Sequence, residues 1–226
     1  MKQTTMNPTF RRASRVVCTV LAAAALAGGL AACAPLIVGG AMVGGVMAID
    51  RRTAGTQIED EGIELRAGNR IREALGDRAH VNVTSYNRQA LLTGEVATAQ
   101  DRQTVEQIVS QVENTRSVVN DLAVMPVTTL SQRSNDTFIT GKVRASLVDA
   151  KDISANSFKV VTERNIVYLM GRVSQREASR ASDIARGVSG VAKVVRVFEI
   201  VSEEELRRIA PQPAPVTTDN TKPAGG

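Results

Sequence analysis

The chain of 226 residues is poor in the side chains from which most active sites are built. It has no tryptophan, one histidine (His80) and two cysteines, Cys18 and Cys33. No thiol follows residue 33, so the rest of the chain offers no disulfide, no cysteine nucleophile and no zinc site built on thiolates. The acidic residues show no paired-carboxylate spacing, and the glycine pairs near residues 40 and 45 precede no phosphate-binding helix. We therefore expect a protein that is not an enzyme and that holds neither a metal nor a cofactor.

The net charge of +5 is concentrated at the start of the chain. It arises from 28 basic and 23 acidic residues, but Lys2, Arg11, Arg12 and Arg15 precede Cys33 without any acidic residue. Without these four residues the balance is 24 basic against 23 acidic residues. Near neutrality, together with an aromatic content of 3%, disfavours nucleic acid as a partner.

A basic segment followed by an apolar run identifies the start of the chain as a targeting sequence. Three arginines between residues 11 and 15 precede the apolar run 16–30, which ends in Leu-Ala-Ala-Cys at residues 30–33. This ending resembles the lipobox of bacterial lipoproteins. The resemblance implies removal of residues 1–32 as a signal peptide and acylation of Cys33 with palmitate-like chains. Two alternatives are a plain secretory signal and an uncleaved anchor, because the apolar run continues to residue 49.

Residues 33–57 are interpreted as a lipidated, apolar, glycine-rich linker. Its glycines and Pro35 make a poor helix, which favours a flexible lead-in over a membrane-spanning segment. In lipoproteins of enteric bacteria an aspartate directly after the acylated cysteine retains the protein at the inner membrane. Ala34 at this position therefore implies, by the same resemblance, a lipid-anchored protein of the outer membrane that faces the periplasm.

Three segments of the first half of the chain recur in the same order in the second half. Residues 69–75 align with 141–147, residues 91–96 with 168–173, and residues 112–119 with 188–195. The offset is 72, then 77, then 76, which places insertions in loops. This repeat predicts two copies of one domain, at residues 58–126 and 131–202, followed by a disordered tail at 203–226 that is rich in proline, threonine and alanine.

Each copy has the pattern helix, strand, strand, helix, strand. Helical stripes are formed by Ile63, Ala67, Ile71 and Leu75 and by Ile139, Val143 and Leu147. Hairpins are expected to turn at Tyr86-Asn87 and near Arg164-Asn165, and the last strands to lie near residues 117–124 and 191–201. The predicted class is α+β, with a three-stranded sheet and two helices on one face in each domain. Because each core is small, we expect the domains to gain stability by packing on each other.

The order αββαβ resembles the BON domain. The resemblance is carried by Gly-x-Val after the second strand, at Gly94 and Gly171, and by valines spaced three apart before the last strand. Residues 134–144, 169–173 and 184–191 are similar to the second domain of dual-BON outer-membrane lipoproteins, and residues 50–57 also fit that family. The resemblance covers about residues 30–202. We expect the two glycines to serve backbone geometry.

The two copies differ in charge. Residues 58–126 hold 7 basic and 11 acidic residues, a net charge of −4, whereas residues 131–200 hold 12 basic and 7 acidic residues, a net charge of +5. A basic surface is attracted to anionic lipid headgroups, by about 1 kcal/mol for each Lys or Arg near the surface. The second domain is therefore the one expected to contact a membrane.

The first helix of the second domain carries the candidate binding residues. Phe138 lies about 100° from the core stripe, with Gly141, Lys142 and Ala145 on the same side and Arg144 nearby. At the offset of 72, the first-domain counterparts of Phe138, Lys142 and Ala145 are Arg66, Arg70 and Glu73. An exposed Phe beside Lys suits a shallow interfacial helix, although burial of Phe138 against the other domain or the linker is the alternative.

The resemblance adds that dual-BON lipoproteins bind anionic phospholipid through this helix, with Trp at the position of Phe138, and support envelope integrity. Phe suits the headgroup layer less well than Trp, so weaker binding is expected here. The competing hypothesis is an adaptor whose acidic first domain binds outer-membrane assembly or cell-wall remodelling proteins.

Overall fold

In the computed structural model the described residues are 50–209, and they form two αββαβ domains. The first domain comprises α1 (Ala54–Leu75), a 3-10 turn (Gly76–Arg78), β1 (Ala79–Tyr86), β2 (Gln89–Val96), α2 (Ala99–Ser110), β3 (Ser117–Asn120) and β4 (Ala123–Val124). The second comprises α3 (Leu130–Asp149), a 3-10 turn (Ala155–Ser157), β5 (Lys159–Glu163), β6 (Ile166–Val173), α4 (Gln175–Arg186) and β7 (Lys193–Ile200), followed by α5 (Glu203–Ile209). The predicted α+β class is confirmed.

Both sheets have the same topology. In each, the hairpin strands pair antiparallel, and the last strand returns through a helix to pair in parallel with the central strand, giving the orders β1-β2-β3 and β5-β6-β7. The last strand of the first domain is interrupted at residues 121–122, where the Leu122 side chain is buried, so it continues as the separate short strand β4 beside β2. The sequence pattern predicted one continuous strand there.

The helices of each domain cover one face of its sheet. In the first domain the stripe of α1 packs with Val105 and Val109 of α2 against Leu92 and Val96 of β2. In the second domain the stripe of α3 packs with the small alanine face of α4 against Val167 and Leu169 of β6. These buried residues lie between 63 and 185, so the chain 50–209 contains its own cores.

A buried aspartate in the first helix of each domain holds the hairpin turn. Asp60 accepts hydrogen bonds from the backbone N–H groups of Asn87 (2.8 Å) and Arg88 (2.7 Å), and Asp136 does the same for Arg164 (2.9 Å) and Asn165 (2.8 Å). All four turn residues have positive φ, between 51° and 64°, as a two-residue hairpin loop requires. The predicted first turn at Tyr86-Asn87 is therefore wrong by one residue, because Tyr86 still pairs as a strand residue with Gln89.

The faces of the two sheets that point away from the helices pack against each other. Tyr86 and Leu91 of the first sheet meet Tyr168, Met170 and Val197 of the second in a buried cluster. The described part of the chain is thus a sandwich of helices, sheet, sheet and helices. The helix pairs of the two domains consequently form its two opposite outer layers.

Two of the predicted domain boundaries differ from the structure. The linker assigned to residues 33–57 ends earlier, because α1 begins at Ala54 after the N-cap Thr53, whose hydroxyl accepts from the Thr56 N–H (3.1 Å). The tail assigned to residues 203–226 as disordered begins with the helix α5, which is held by the buried Leu206 and by a salt bridge from Arg172 to Glu205 (2.8 Å). The predicted signal peptide and Cys33 lie outside the described residues.

Candidate functional site

The outward side of α3 is an uncharged strip in a basic domain. Its members, which are all exposed, are Leu130, Ser134, Thr137, Phe138, Gly141, Ala145 and Val148. We call these seven residues the α3 outer face. Phe138 is 65% exposed, so within residues 50–209 it is not buried against the first domain; linker residues 33–49 lie outside the described residues. The predicted residues Phe138, Gly141 and Ala145 are brought together on this face.

The α3 outer face offers an apolar surface with few unsatisfied polar groups. Leu130 and Val148 are 75% and 68% exposed, and a Cβ added at Gly141 would meet no atom within 4 Å. The hydroxyls of Ser134 and Thr137 donate to the carbonyls of Leu130 (2.9 Å) and Arg133 (3.0 Å) in their own helix. Their donors therefore keep their partners when the face leaves water.

Basic side chains flank the face on both sides. Lys142 lies on one side, with its Nζ 4.9 Å from the centre of the Phe138 ring, and also hydrogen-bonds the Ser189 carbonyl. Arg144 lies on the other side, where it is exposed and donates to the Val160 carbonyl (3.3 Å). Within α3 the acidic residues are Asp136, which is buried under the hairpin turn, and Asp149 at the last position. No exposed carboxylate thus interrupts the face before its end.

The first-domain counterparts assigned from the sequence are wrong by one helical turn. The N-caps Thr53 and Thr129 and the turn-binding Asp60 and Asp136 are both related by an offset of 76. At this offset Lys142 corresponds to Arg66, and both donate to equivalent carbonyls, of Ser189 and Glu113. A shift of four residues preserves the amphipathic pattern of a helix, which is why the sequence alignment at 72 looked acceptable.

The offset of 76 changes which residues of α3 differ from their first-domain counterparts. Phe138 corresponds to Gly62, and Ala145 corresponds to Asn69, rather than to the charged residues first assigned. The contact from Lys142 to the loop after α4 has a counterpart in the first domain, so it belongs to the fold. The aromatic side chain is the feature that the second domain has added.

The segment that leads into the first domain joins both domains. Arg51 donates to both carboxylate oxygens of Glu177, at 2.8 and 2.7 Å, while Arg52 binds Asp60 (2.7 Å) and lies over the Tyr86 ring. Asp50 lines a cleft together with Arg144, Val148 and other residues near the end of α3. Asp50, at the start of the described residues, therefore lies beside the end of α3.

A buried polar cluster lies between the two sheets and was not expected from the sequence. Glu95 makes two contacts in this cluster: its Oε2 lies 3.2 Å from His80 Nδ1, and its Oε1 accepts a hydrogen bond from Arg164 (3.1 Å). The second carboxylate, that of Glu163, accepts a hydrogen bond from Asn82 (2.8 Å). Glu95 and Glu163 are 0% and 3% exposed. These residues come from both domains, so only the packing of sheet on sheet brings them together.

The two carboxylates of this cluster differ in their proton affinity. Burial raises the pKa of Glu163. The hydrogen bond from Asn82 acts to lower this pKa without reversing the shift, and the nearby charge of Glu95 raises it further. Burial also acts to raise the pKa of Glu95, but hydrogen bonds from Thr128, Arg164 and His80 outweigh it and lower that pKa. The cluster therefore holds one well-stabilised carboxylate and one poorly stabilised carboxylate.

Comparison with known proteins agrees with the repeat. The BON domain family matches residues 60–126 and 135–202. The chain therefore belongs to the BON-domain family, as a protein with two such domains.

Among curated relatives it is similar to the outer membrane lipoprotein DolP of Haemophilus influenzae, with 36% identity over 172 residues, covering 75% of this chain and 89% of that protein. It is also similar to a 21 kDa hemolysin of Actinobacillus pleuropneumoniae, with 33% identity, 68% of this chain and 80% of the relative being covered. A shorter match joins 61 residues to the osmotically inducible protein Y of Escherichia coli at 43% identity, covering 26% of this chain and 30% of that protein. Between residues 50 and 209, none of the helices has the length and hydropathy needed to span a bilayer.

Proposed function

We propose that this chain is a non-enzymatic, lipid-anchored protein of the outer membrane that binds anionic phospholipid through the α3 outer face and so supports envelope integrity. The observation that carries the proposal is the exposed Phe138 on an uncharged strip with Lys142 and Arg144 at its flanks. An interfacial helix needs this combination of an apolar strip, an aromatic side chain and a basic border. The similarity to an outer membrane lipoprotein supports the location.

The energetic contributions are divided between the anchor and the helix. Inserting the Phe138 side chain into the acyl boundary contributes at most about 2 to 3 kcal/mol, and each flanking cation adds about 1 kcal/mol on an anionic surface. Acyl chains on Cys33 would contribute much more, because each buried CH₂ group of an acyl chain adds about 0.8 kcal/mol. The helix therefore selects the lipid composition to which an already attached protein binds.

The place where the chain enters the folded body supports the same orientation. Asp50 and Val148 line one cleft, so an anchor before residue 50 and the α3 outer face can reach the same membrane surface. In this orientation the helices of the first domain point away from the membrane, because they form the opposite outer layer of the sandwich.

The proposal is tested by flotation of residues 50–209 with phosphatidylglycerol vesicles. Phe138→Glu removes the aromatic anchor and introduces repulsion, so binding should fall by at least about tenfold, which corresponds to about 1.4 kcal/mol. The matched control is Leu65→Glu, because Leu65 is 67% exposed on α1 and the substitution changes the net charge equally. Binding of Phe138→Glu at the level of Leu65→Glu would contradict the proposal.

The helices of the first domain, which form the outer layer opposite α3, have a surface that suits a second function. The first domain is acidic, and Ile58 and Leu65 are 69% and 67% exposed along one side of α1. This surface suits a basic protein partner, such as a component of outer-membrane assembly or cell-wall remodelling. Photo-crosslinking from position 65 in cells should capture one discrete partner if the adaptor function is real, whereas crosslinks only to lipid or to many proteins would argue against it.

A further inference from the structure

The cluster between the sheets combines the only histidine of the chain with two buried carboxylates from different domains. The ligand-type atoms of His80, Glu95 and Glu163 all lie within 4.8 Å of one another. Ligands of a zinc ion bind at about 2.0 to 2.2 Å, so pairs of them lie up to about 4 Å apart, and small rotations of these side chains suffice. We propose that these three residues form a divalent-cation site that joins the two domains.

Hydrogen bonds from neighbouring groups orient the carboxylates of Glu95 and Glu163, as a second coordination shell orients metal ligands. Glu95 accepts from Arg164 (3.1 Å) on one oxygen and from the N–H (3.2 Å) and hydroxyl (3.1 Å) of Thr128 on the other. Glu163 Oε2 accepts from Asn82 (2.8 Å), and within residues 50–209 no donor reaches its other oxygen. Metal-binding carboxylates are commonly oriented by hydrogen bonds of this kind, and Glu163 keeps one oxygen free for a ligand.

The local charge favours a cation. Glu163 shares a cleft with Asp136, which is 4% exposed, and a carboxylate oxygen of Glu95 lies within 4.8 Å of one of Glu163. The guanidinium groups beside them belong to Arg133 and Arg164. Three carboxylates against two guanidinium groups leave an excess negative charge on side chains that are almost fully buried. Such an excess is costly unless a proton or a cation compensates it.

The cleft also provides access. It has a volume of about 340 Å³ and is lined by His80, Asn82 and Glu163 together with Thr137 and Thr140 of α3. A cation could reach the imidazole and the free oxygen of Glu163 without separation of the domains. A nitrogen ligand with two carboxylates suits Zn²⁺ better than Mg²⁺ or Ca²⁺, which prefer oxygen ligands alone.

The experiment uses residues 50–209 without a histidine tag and adds Zn²⁺ alone. One equivalent should bind in calorimetry, raise the unfolding temperature and shift the side-chain resonances of the single imidazole. His80→Asn and Glu163→Gln should each reduce the affinity by at least tenfold. Glu199→Gln, at another interface carboxylate that is bound by Arg116 and Arg172, should leave zinc binding unchanged.

If the imidazole resonances and the unfolding temperature do not respond to millimolar Zn²⁺, or if both variants bind as the parent does, there is no cation site. The cluster would then be a buried ion pair in which Glu163 is compensated by a proton. Circular dichroism of each variant separates loss of binding from loss of fold.

Discussion

Arg51 and Glu177 form a two-point ion pair between the segment that precedes the first domain and the second domain. The two Nη atoms of Arg51 donate to the two carboxylate oxygens of Glu177, at 2.8 and 2.7 Å, and the side chains are 13% and 6% exposed. Glu177 is also the capping-box residue of α4, where it accepts from the Ser174 N–H. Residues 50–53 are therefore an integral part of the folded body and are held against the second domain.

Replacing Arg51 should destabilise the protein although the residue precedes both domains. Arg51→Ala leaves a buried carboxylate without its cation, for which the expected loss in free energy of unfolding is about 3 kcal/mol. Urea unfolding of residues 50–209 measures this loss. Arg186→Ala is the control, because its ion pair with Asp183 is about half exposed on both sides and should contribute less than about 1 kcal/mol. Equal effects of the two substitutions would show that the Arg51 contact is not structural.

Asp60 should make stability depend on pH in the acid range. Burial acts to raise its pKa, but hydrogen bonds from Ser85, Arg88, Arg52 and Asn87 prevail and hold the pKa below its usual value. A carboxyl whose pKa is lowered by folding stabilises the protein above its unfolded pKa of about 3.9, and this contribution is lost as the pH falls through the folded pKa.

The corresponding measurement compares the parent with Asp60→Asn by urea unfolding at pH 7 and pH 3. At pH 7 the variant should be less stable by about 2 kcal/mol, since hydrogen bonds to a charged acceptor are lost. At pH 3 the difference should be smaller. Asp77→Asn, at an exposed aspartate, should match the parent at both values. A difference for Asp60→Asn that does not change with pH would refute the role given to its charge.

Gly94 should not tolerate a side chain. Its φ is 111°, and a Cβ there would lie 2.0 Å from the His80 carbonyl oxygen across the hairpin. Gly94→Ala is expected to lower the free energy of unfolding by more than about 2 kcal/mol, as backbone strain and a backbone clash combine. Gly68→Ala is the opposite case, because nothing lies within 4 Å of its added Cβ on α1, and it should stabilise by about 0.5 to 1 kcal/mol. Thermal unfolding of both variants checks the pair.

Much of the fold could be predicted from periodic patterns in the sequence. The buried stripes of α1 and α3 and the αββαβ order are local features, because each element is defined by residues a few positions apart. The role of Gly94 was expected from its motif, but the contact that requires a glycine is made with His80 across the hairpin. The sequence alignment of α1 with α3 at an offset of 72 was wrong because it depended on local periodicity alone. A helical stripe with a period of 3.6 residues matches itself after a shift of four residues. The register is fixed instead by the N-caps and by the hydrogen bonds that Asp60 and Asp136 accept from their hairpin turns.

The candidate site was predictable in part. Phe138 could be identified, since an aromatic residue outside the core stripe of an otherwise polar helix is visible in the sequence. His80, Glu95 and Glu163 could not be connected, because they belong to two domains and meet only where the sheets pack. The expectation that the chain has no metal site depended on linear spacing, which carries no information about contacts between domains.

The most direct test of the central claim uses the absence of tryptophan from the chain. Phe138→Trp introduces a single fluorescent reporter on the α3 outer face, and Leu65→Trp introduces one on the opposite layer. With vesicles of phosphatidylglycerol carrying brominated acyl chains, Trp emission from Phe138→Trp should shift to the blue and be quenched, whereas emission from Leu65→Trp should not change. Unchanged emission from Phe138→Trp, or the same quenching in both variants, would contradict the proposal that α3 is the membrane-binding helix.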